Sequence, residues 1–300
     1  LRVITLGTGA GRPTLQRNAS ATALEYEGDT FLFDCGEGTQ LQLMKTAFHW
    51  GKIRAVFIGH LHGDHVNGLP GLLGSLSLSD REAPMQVFGP KGIRKFLNNF
   101  FKCQATQLRF PMEVVEISTS GVLWDAENYT VEAHPLEHTL KCWGYVFREK
   151  DRPGEFDAAA AEKRGVPVGP VRGQLVKGET VKLEDGTVLR PEDFVGPPRP
   201  GRSVAYCLDT RPCRGAVALA EGVDLLIHEA TFGAEFQQEA HDWGHSTAAD
   251  AARTAREAGA RQLILTHISQ RYPDASILLK EAREIFPNVR LASDLEVFSI

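Results

Sequence analysis

Three imidazoles and one carboxylate fall within six consecutive residues, His60-Leu61-His62-Gly63-Asp64-His65. Imidazole and carboxylate are the ligands that borderline divalent metals such as zinc prefer. The hexapeptide follows the apolar run Ala55-Val56-Phe57-Ile58. A loop leaving a strand can turn several imidazoles toward one point, whereas a helix would send His60 and His62 to different faces. Three more residues of ligand type sit at or just beyond apolar strands: His138 after Tyr129 to His134, Asp209 after Ser203 to Leu208, and His267 after Gln262 to Thr266. Strand ends are where such sheets carry functional groups, and together these side chains number the seven that a two-metal centre requires.

The elements that must position them follow from periodicity. Arg2 to Leu6 is a short apolar strand ending in Gly7-Thr8-Gly9-Ala10-Gly11, and Ala21 to Tyr26 with Thr30 to Asp34 flank the turn Glu27-Gly28-Asp29 as a hairpin. The spacing of Leu41, Met44, Ala47 and Phe48 predicts a helix over Glu37 to Trp50. Strands are expected at Gln86 to Phe88, Met112 to Ile117, Trp143 to Arg148 and Asp224 to His228, with helices over Lys91 to Phe101, Ser246 to Ala258 and Ser276 to Phe286. Leu291 to Phe298 closes the chain with strand character. Two successive halves of strands followed by helices predict an α/β fold: two mixed sheets, face to face, covered by helices in a four-layer αββα domain spanning 1–300.

Composition sets outer limits. The 300 residues are 42% hydrophobic and 24% charged, as in ordinary globular chains. No apolar run reaches the roughly 18 to 20 residues of a membrane-spanning helix. Leu1 to Gly11 lacks the basic flank and apolar stretch of a signal peptide, so a cytoplasmic location with no membrane association is expected. The net charge of −5 gives no global basic field for nucleic acid, so polyanion binding must be local. Five scattered cysteines without a C-x-x-C pair suggest neither a disulfide framework nor a zinc ribbon; small, buried, reduced residues are expected.

One stretch breaks the pattern. From about 150 to 202 the chain contains Gly165-Val166-Pro167-Val168-Gly169-Pro170 and later Gly196-Pro197-Pro198-Arg199-Pro200-Gly201, which does not suit a regular core layer. It reads as an inserted flexible arm. Between Lys163 and Lys182 the cations Lys163, Arg164, Arg172, Lys177 and Lys182 face the single acid Glu179, so this arm is locally basic in an acidic chain. Cations there can track phosphates, and glycines leave backbone N–H groups accessible.

The hexapeptide matches H-x-H-x-D-H of the metallo-β-lactamase fold. Over nearly the whole chain the sequence resembles the short-form ribonuclease Z (tRNase Z) family, through Leu6-Gly7-Thr8-Gly9, Phe33-Asp34-Cys35-Gly36-Glu37, Gly68-Leu69-Pro70-Gly71-Leu72-Leu73-Gly74, His228-Glu229-Ala230-Thr231, His245-Ser246-Thr247 and Leu265-Thr266-His267. The resemblance implies two zinc ions per chain, other divalent metals such as manganese being compatible. His60, His62 and His138 would hold one, Asp64, His65 and His267 the other, and Asp209 would bridge. It implies an endoribonuclease that removes the 3′ trailer from precursor tRNA by hydrolysis through a metal-bridging hydroxide, leaving a 3′-OH on the tRNA and a 5′-phosphate on the trailer. Two ions can lower the pKa of a water and neutralise charge building at phosphorus, and Asp64 would orient or deprotonate that water. Glu229 and His245 resemble the pair that protonates the leaving oxygen. Asp34 reads as a carboxylate orienting a ligand imidazole.

The resemblance also assigns the arm, with Gly169, Pro170, Lys163, Arg164, Arg172 and Lys177, to gripping tRNA, and implies a homodimer in which the arm of one subunit serves the other's site. Arg17 and Asn18 match the family's loop P-x-K-x-R-N, which the resemblance implicates in sensing the 3′-terminal CCA of mature tRNA, although Leu15 stands where the lysine is expected. Two other functions share the fold. A small phosphodiesterase or thioesterase would not need the basic arm, and di-iron redox proteins carry Glu where His62 stands.

Overall fold

The computed structural model describes residues 1–300. The first six strands are β1 (Arg2–Gly7), β2 (Ala21–Tyr26), β3 (Asp29–Phe33), β4 (Ile53–Phe57), β5 (Met85–Pro90) and β6 (Met112–Ile117). They pair in sequence order, antiparallel from β1 to β3 and parallel from β3 to β6. Parallel neighbours need crossovers, and these carry α1 (Thr39–Met44), α2 (Gly63–Val66), α3 (Leu69–Leu78) and α4 (Ile93–Cys103).

Helix α1 stops well short of the expected Trp50. The Thr46 hydroxyl donates to the Leu43 carbonyl at 2.8 Å and accepts from the Phe48 N–H at 3.1 Å, which offers the backbone a turn in place of another helical step. Its apolar Leu41 and Met44 point to solvent rather than into the core.

A second sheet opens with β7 (Gly121–Asp125), β8 (Tyr129–Glu137) and β9 (Lys141–Glu149). The chain then enters the segment marked above as irregular. There it folds α5 (Ala158–Lys163), α6 (Pro170–Val176) and a two-stranded hairpin of β10 (Val181–Lys182) and β11 (Val188–Leu189). Arg148–Arg202 with Ala126–Thr130 form a compact unit apart from the remainder, Leu1–Asp125, Val131–Phe147 and Ser203–Ile300. The arm has its own core of Ala161, Val166, Leu175, Leu189 and Phe194, so its Gly/Pro richness marks tight turns around a small centre.

The second sheet continues with β12 (Ser203–Cys207), β13 (Leu225–Glu229), β14 (Gln262–Thr266) and β15 (Val289–Leu291), in the order β15-β14-β13-β12-β9-β8-β7. Helices α7 (Arg214–Leu219), α8 (Gln237–Asp242), α9 (Ala248–Ala258) and α10 (Ser276–Ile285) fall between these strands. The single closing strand expected over Leu291 to Phe298 is instead two. A turn at Ala292 to Leu295, with Leu295 at φ 65°, separates β15 from β16 (Glu296–Ser299), which crosses to the first sheet beside β1.

Strand alternation divides the side chains between layers. Leu32, Val56 and Val87 point outward into a core shared with α1, α3 and α4, while Ala205, Cys207, Leu226 and Leu263 do the same beneath α7, α9 and α10. Their neighbours Phe33, Phe57, Phe88, Tyr145 and Tyr206 fill the space between the sheets. Ring centroids lie 5.4 Å apart for Phe33 and Phe57, 5.0 Å for Phe57 and Phe88, and 5.4 Å for Phe33 and Tyr206. Burying each such ring stabilises the fold by about 1.5–3 kcal/mol. This gives the four layers α, β, β, α. No cysteines are paired; Cys35, Cys142 and Cys207 are buried as expected, whereas Cys103 is exposed. No helix is long and apolar enough to cross a membrane.

Candidate active site

The seven ligand-type residues converge from four places in the chain: the 60–65 loop, His138, Asp209 and His267. The His60 Nε2 lies 2.9 Å from the His62 Nδ1, and the His138 Nε2 lies 3.2 Å from that same nitrogen. Asp209 faces this trio with Oδ2, 3.5 Å from His60 and 3.9 Å from His138. Its Oδ1 turns the other way, 3.3 Å from the His65 Nε2 and 3.1 Å from the His267 Nε2. Asp64 closes the second group, its Oδ2 3.4 Å from both His65 and His267. The ligand atoms of each group lie within 4.8 Å of one another.

Hydrogen bonds behind the cluster fix which nitrogen faces inward. The His138 Nδ1–H donates to the Gly244 carbonyl at 2.7 Å, leaving Nε2 for the site. Gly244 is at φ +83°, and a Cβ there would sit 2.7 Å from that Nδ1, so both backbone and space require glycine. The His65 Nδ1 is 2.7 Å from the Asp34 Oδ2. Asp34 is itself held by the Gly59 N–H at 2.7 Å and the Tyr206 hydroxyl at 3.0 Å. His267 is held through Nδ1 by the Thr231 hydroxyl at 2.8 Å. The Gly11 N–H donates to Asp64 at 2.8 Å. Gly36 and Gly68 approach so closely that a Cβ on Gly68 would meet the Gly36 carbonyl oxygen at 1.9 Å, which explains the glycines of both motifs.

Burial, and the crowd of neighbouring imidazoles, pushes His60 well below the ordinary histidine pKa; burial lowers His138 too. Both effects favour the neutral, lone-pair-bearing form that a metal ligand needs. Two atoms of the cluster make no hydrogen bond. The His65 Nε2 and the Asp209 Oδ1 are buried without a hydrogen bond, since their contact lacks hydrogen-bond geometry. Orphaned buried polar atoms are costly, and a cation between them supplies what each lacks.

Beside the cluster, the Glu229 Oε1 lies 3.1 Å from the His245 Nδ1. Glu229 is fully buried and also accepts from the Thr210 N–H at 2.6 Å and the Thr231 hydroxyl at 2.5 Å. Burial opposes charge on His245, but the adjacent Glu229 outweighs it and the imidazole pKa is pushed up to about 9. Ser246 does not cap the following helix; its hydroxyl donates to the Thr210 carbonyl at 2.6 Å, and Thr247 with Asp250 forms the capping box of α9.

The substrate-binding expectations divide. Arg17 turns inward, donating to the Thr8 hydroxyl at 2.7 Å and the Ala292 carbonyl at 2.8 Å, and Asn18 donates to the Glu37 carbonyl at 2.9 Å. Both hold up the loop rather than extending from it, while Leu15 at its tip is fully exposed. In the arm, Arg164 pairs with Asp193 at 2.8 Å and Arg172 donates to the Val166 carbonyl at 3.0 Å, whereas Lys163 and Lys177 are exposed together with Gly169 and Pro170. Sequence reasoning missed Asp294, which accepts from the Thr8 N–H, the Thr8 hydroxyl, the Asn18 N–H and Gln42 and anchors the same loop.

Residues 194–268 match the Beta-lactamase superfamily domain, and residues 1–144 match the family described as Anti-Pycsar protein Apyc1. The human tRNase Z, short form, superposes with a TM-score of 0.72 at 32% identity, over 100% of this chain and 99% of that one. A metallo-beta-lactamase fold protein from Bacillus subtilis, 20% identical, superposes at 0.69 over 99% of this chain and 98% of that one. The two facing mixed sheets with a His/Asp cluster at their strand ends therefore define a metallo-β-lactamase-fold protein. The chain is 48% identical to Ribonuclease Z of Geobacillus kaustophilus and 46% to that of Bacillus cereus, each over 100% of this chain and 99% of the relative. It belongs to the ribonuclease Z family.

Proposed function

We propose that this protein is a metal-dependent tRNA 3′-processing endonuclease, cutting precursor tRNA so that the mature part keeps a 3′-OH and the trailer a 5′-phosphate. The observation that carries the reading is Asp209, whose two oxygens face two separate groups of imidazoles and one of whose oxygens is buried without a hydrogen bond. Five imidazoles and two carboxylates suit two borderline divalent ions, zinc first. His60, His62 and His138 would hold one, Asp64, His65 and His267 the other, with Asp209 shared. The chemistry such ions supply when bound is positive charge against the phosphodiester and a more acidic water.

The chain's own residues supply the rest. Asp64, held by the Gly11 N–H, is the carboxylate available to orient water and accept its proton. The leaving group is a ribose 3′-oxygen, a poor alkoxide that needs a proton. His245 is protonated at neutral pH, shares its Nδ1–H with Glu229, and can give the Nε2 proton to that oxygen. Afterwards Glu229 stabilises re-protonation of the ring. Lys163 and Lys177, exposed on the arm, are suited to contact phosphates, and binding energy from parts of the substrate that do not react raises discrimination for a large substrate. Exposed Leu41, Met44 and Leu78 support a homodimer, the arm of each subunit serving its partner. This reading puts the enzyme with its substrate in the cytoplasm.

The test is metal analysis of the purified protein followed by incubation with a trailer-bearing precursor tRNA. Two equivalents of zinc per chain and cleavage at the trailer junction are expected. Hydrolysis of a small phosphodiester with the precursor left intact would overturn the assignment in favour of a small-molecule phosphodiesterase.

A further inference from the structure

An aromatic cluster stands beside His245 that the reaction described above does not use. Trp243 is 51% exposed, unusual for the largest side chain on a polar surface. It rests against buried Phe232 with ring centroids 5.8 Å apart, and Phe232 in turn lies 6.1 Å from the His245 ring. One buried ring thus spans the gap between an exposed indole and the proton-donating imidazole. Arg271 locks the group: its guanidinium lies 5.3 Å from the Phe232 centroid, 5.0 Å from Phe236 and 5.4 Å from Trp243, and it pairs with Glu239 at 2.8 Å. The backbone N–H of Trp243 donates to the Glu239 carbonyl at 3.0 Å, and the next residue is Gly244, whose carbonyl holds His138. The indole is therefore fixed in register with the site by covalent chain on one side and cation–π contacts on the other.

An exposed, immobilised aromatic face suits a nucleobase. Every base offers a π-face, so stacking tolerates sequence, as an enzyme acting on many tRNAs requires, and a rigid ring loses little entropy on contact. The position selects which base. His245 gives its proton to the leaving 3′-oxygen, so the ribose bearing that oxygen lies against the imidazole, and its base extends from the same sugar.

We propose that Trp243, braced by Phe232 and Arg271, is the stacking platform for the base of the nucleotide whose 3′-oxygen leaves. This rests on the tRNA-processing reading and adds a subsite to it.

The test is a cycle in kcat/KM using two precursors, one normal and one abasic at the nucleotide just 5′ of the cleaved bond. With the normal precursor, Trp243→Ala should lose about tenfold or more, the scale of one base–aromatic stack. Wild type should lose a similar factor on the abasic precursor, and the two changes together should lose no more than either alone. Trp243→Phe should recover most of the loss. Trp243→Leu, which keeps apolar bulk without a π-face, should behave as Trp243→Ala if the latter folds poorly. Losses that multiply across the cycle, or no loss on the normal precursor, overturn the platform. Failure of the wild type to cut either precursor would instead strike the tRNA-processing reading itself.

Discussion

Glu229, fully buried, and His245, partly exposed, form a carboxylate–imidazolium pair 3.1 Å apart beside a cluster of side chains suited to hold metal. The carboxylate keeps the ring charged past neutrality, so the pair is an acid in waiting. His245→Ala should lower the rate on precursor tRNA by about 10²- to 10⁴-fold, the usual worth of general acid catalysis. The loss should be far smaller on a p-nitrophenyl phosphodiester, whose leaving group needs little protonation. Parallel kinetics on the two substrates check this, and equal losses would assign His245 a structural role.

Asp209 faces both groups of imidazoles, so its removal should cost more metal than removal of a ligand to one. Asp209→Ala should retain less than one ion per chain after dialysis, whereas His138→Ala should keep the second group's ion. Elemental analysis of the two purified variants reads the difference. An Asp209 variant with two tightly held ions would contradict the shared assignment.

The neck of the arm invites deletion. Arg152 and Arg199 exchange backbone hydrogen bonds of 3.0 and 2.9 Å, which sets their Cα atoms about 5.5 Å apart, within reach of a two-residue linker. Under the proposed role of the arm, holding substrate without doing chemistry, removing 153–198 this way should abolish precursor processing and spare bis(p-nitrophenyl) phosphate hydrolysis. A folded, metal-loaded deletion that loses both activities would refute this division.

At the base of the arm, Arg202 grips Glu149 through two hydrogen bonds of 2.6 and 2.8 Å, and Arg152 also pairs with it. Burial would raise the carboxyl pKa, but these arginine contacts outweigh it and lower it to about 2. A group depressed in the folded state contributes stability above its ordinary pKa and loses it as pH falls through that value toward the folded one. Glu149→Gln should therefore speed amide hydrogen exchange across Arg148–Arg202 near pH 7, with the difference from wild type shrinking from about pH 5 downward. A difference constant down to about pH 3 would remove the charge from the explanation.

The His/Asp loop and the strands behind it were legible because short apolar runs with alternating faces, such as Phe31 to Phe33, leave few alternatives to a buried strand. Predicted strands at Ala21 to Tyr26, Met112 to Ile117 and Gln262 to Thr266 coincide with the observed ones. The arm was legible as an insertion but not as a fold, because its core residues Ala161, Leu175, Leu189 and Phe194 are spread thinly among turns. The inward direction of Arg17 was hidden as well. Its partners at Thr8 and Ala292 meet only after β15 and β16 separate, and Asp294 lies 276 residues from Asn18. Sequence spacing carries no trace of such a meeting.

Asp34, Asp209 and His267 all take left-handed backbone angles, with φ of 57°, 49° and 56°. Asp and His are among the few side chains that visit this region readily, whereas β-branched and bulky residues are driven from it. The side-chain chemistry of the site and the geometry of the chain thus select from the same short alphabet at these positions. Asn and Gly are the replacements this backbone admits most readily, so even Asp209→Glu would strain the chain as well as displace the carboxylate oxygens.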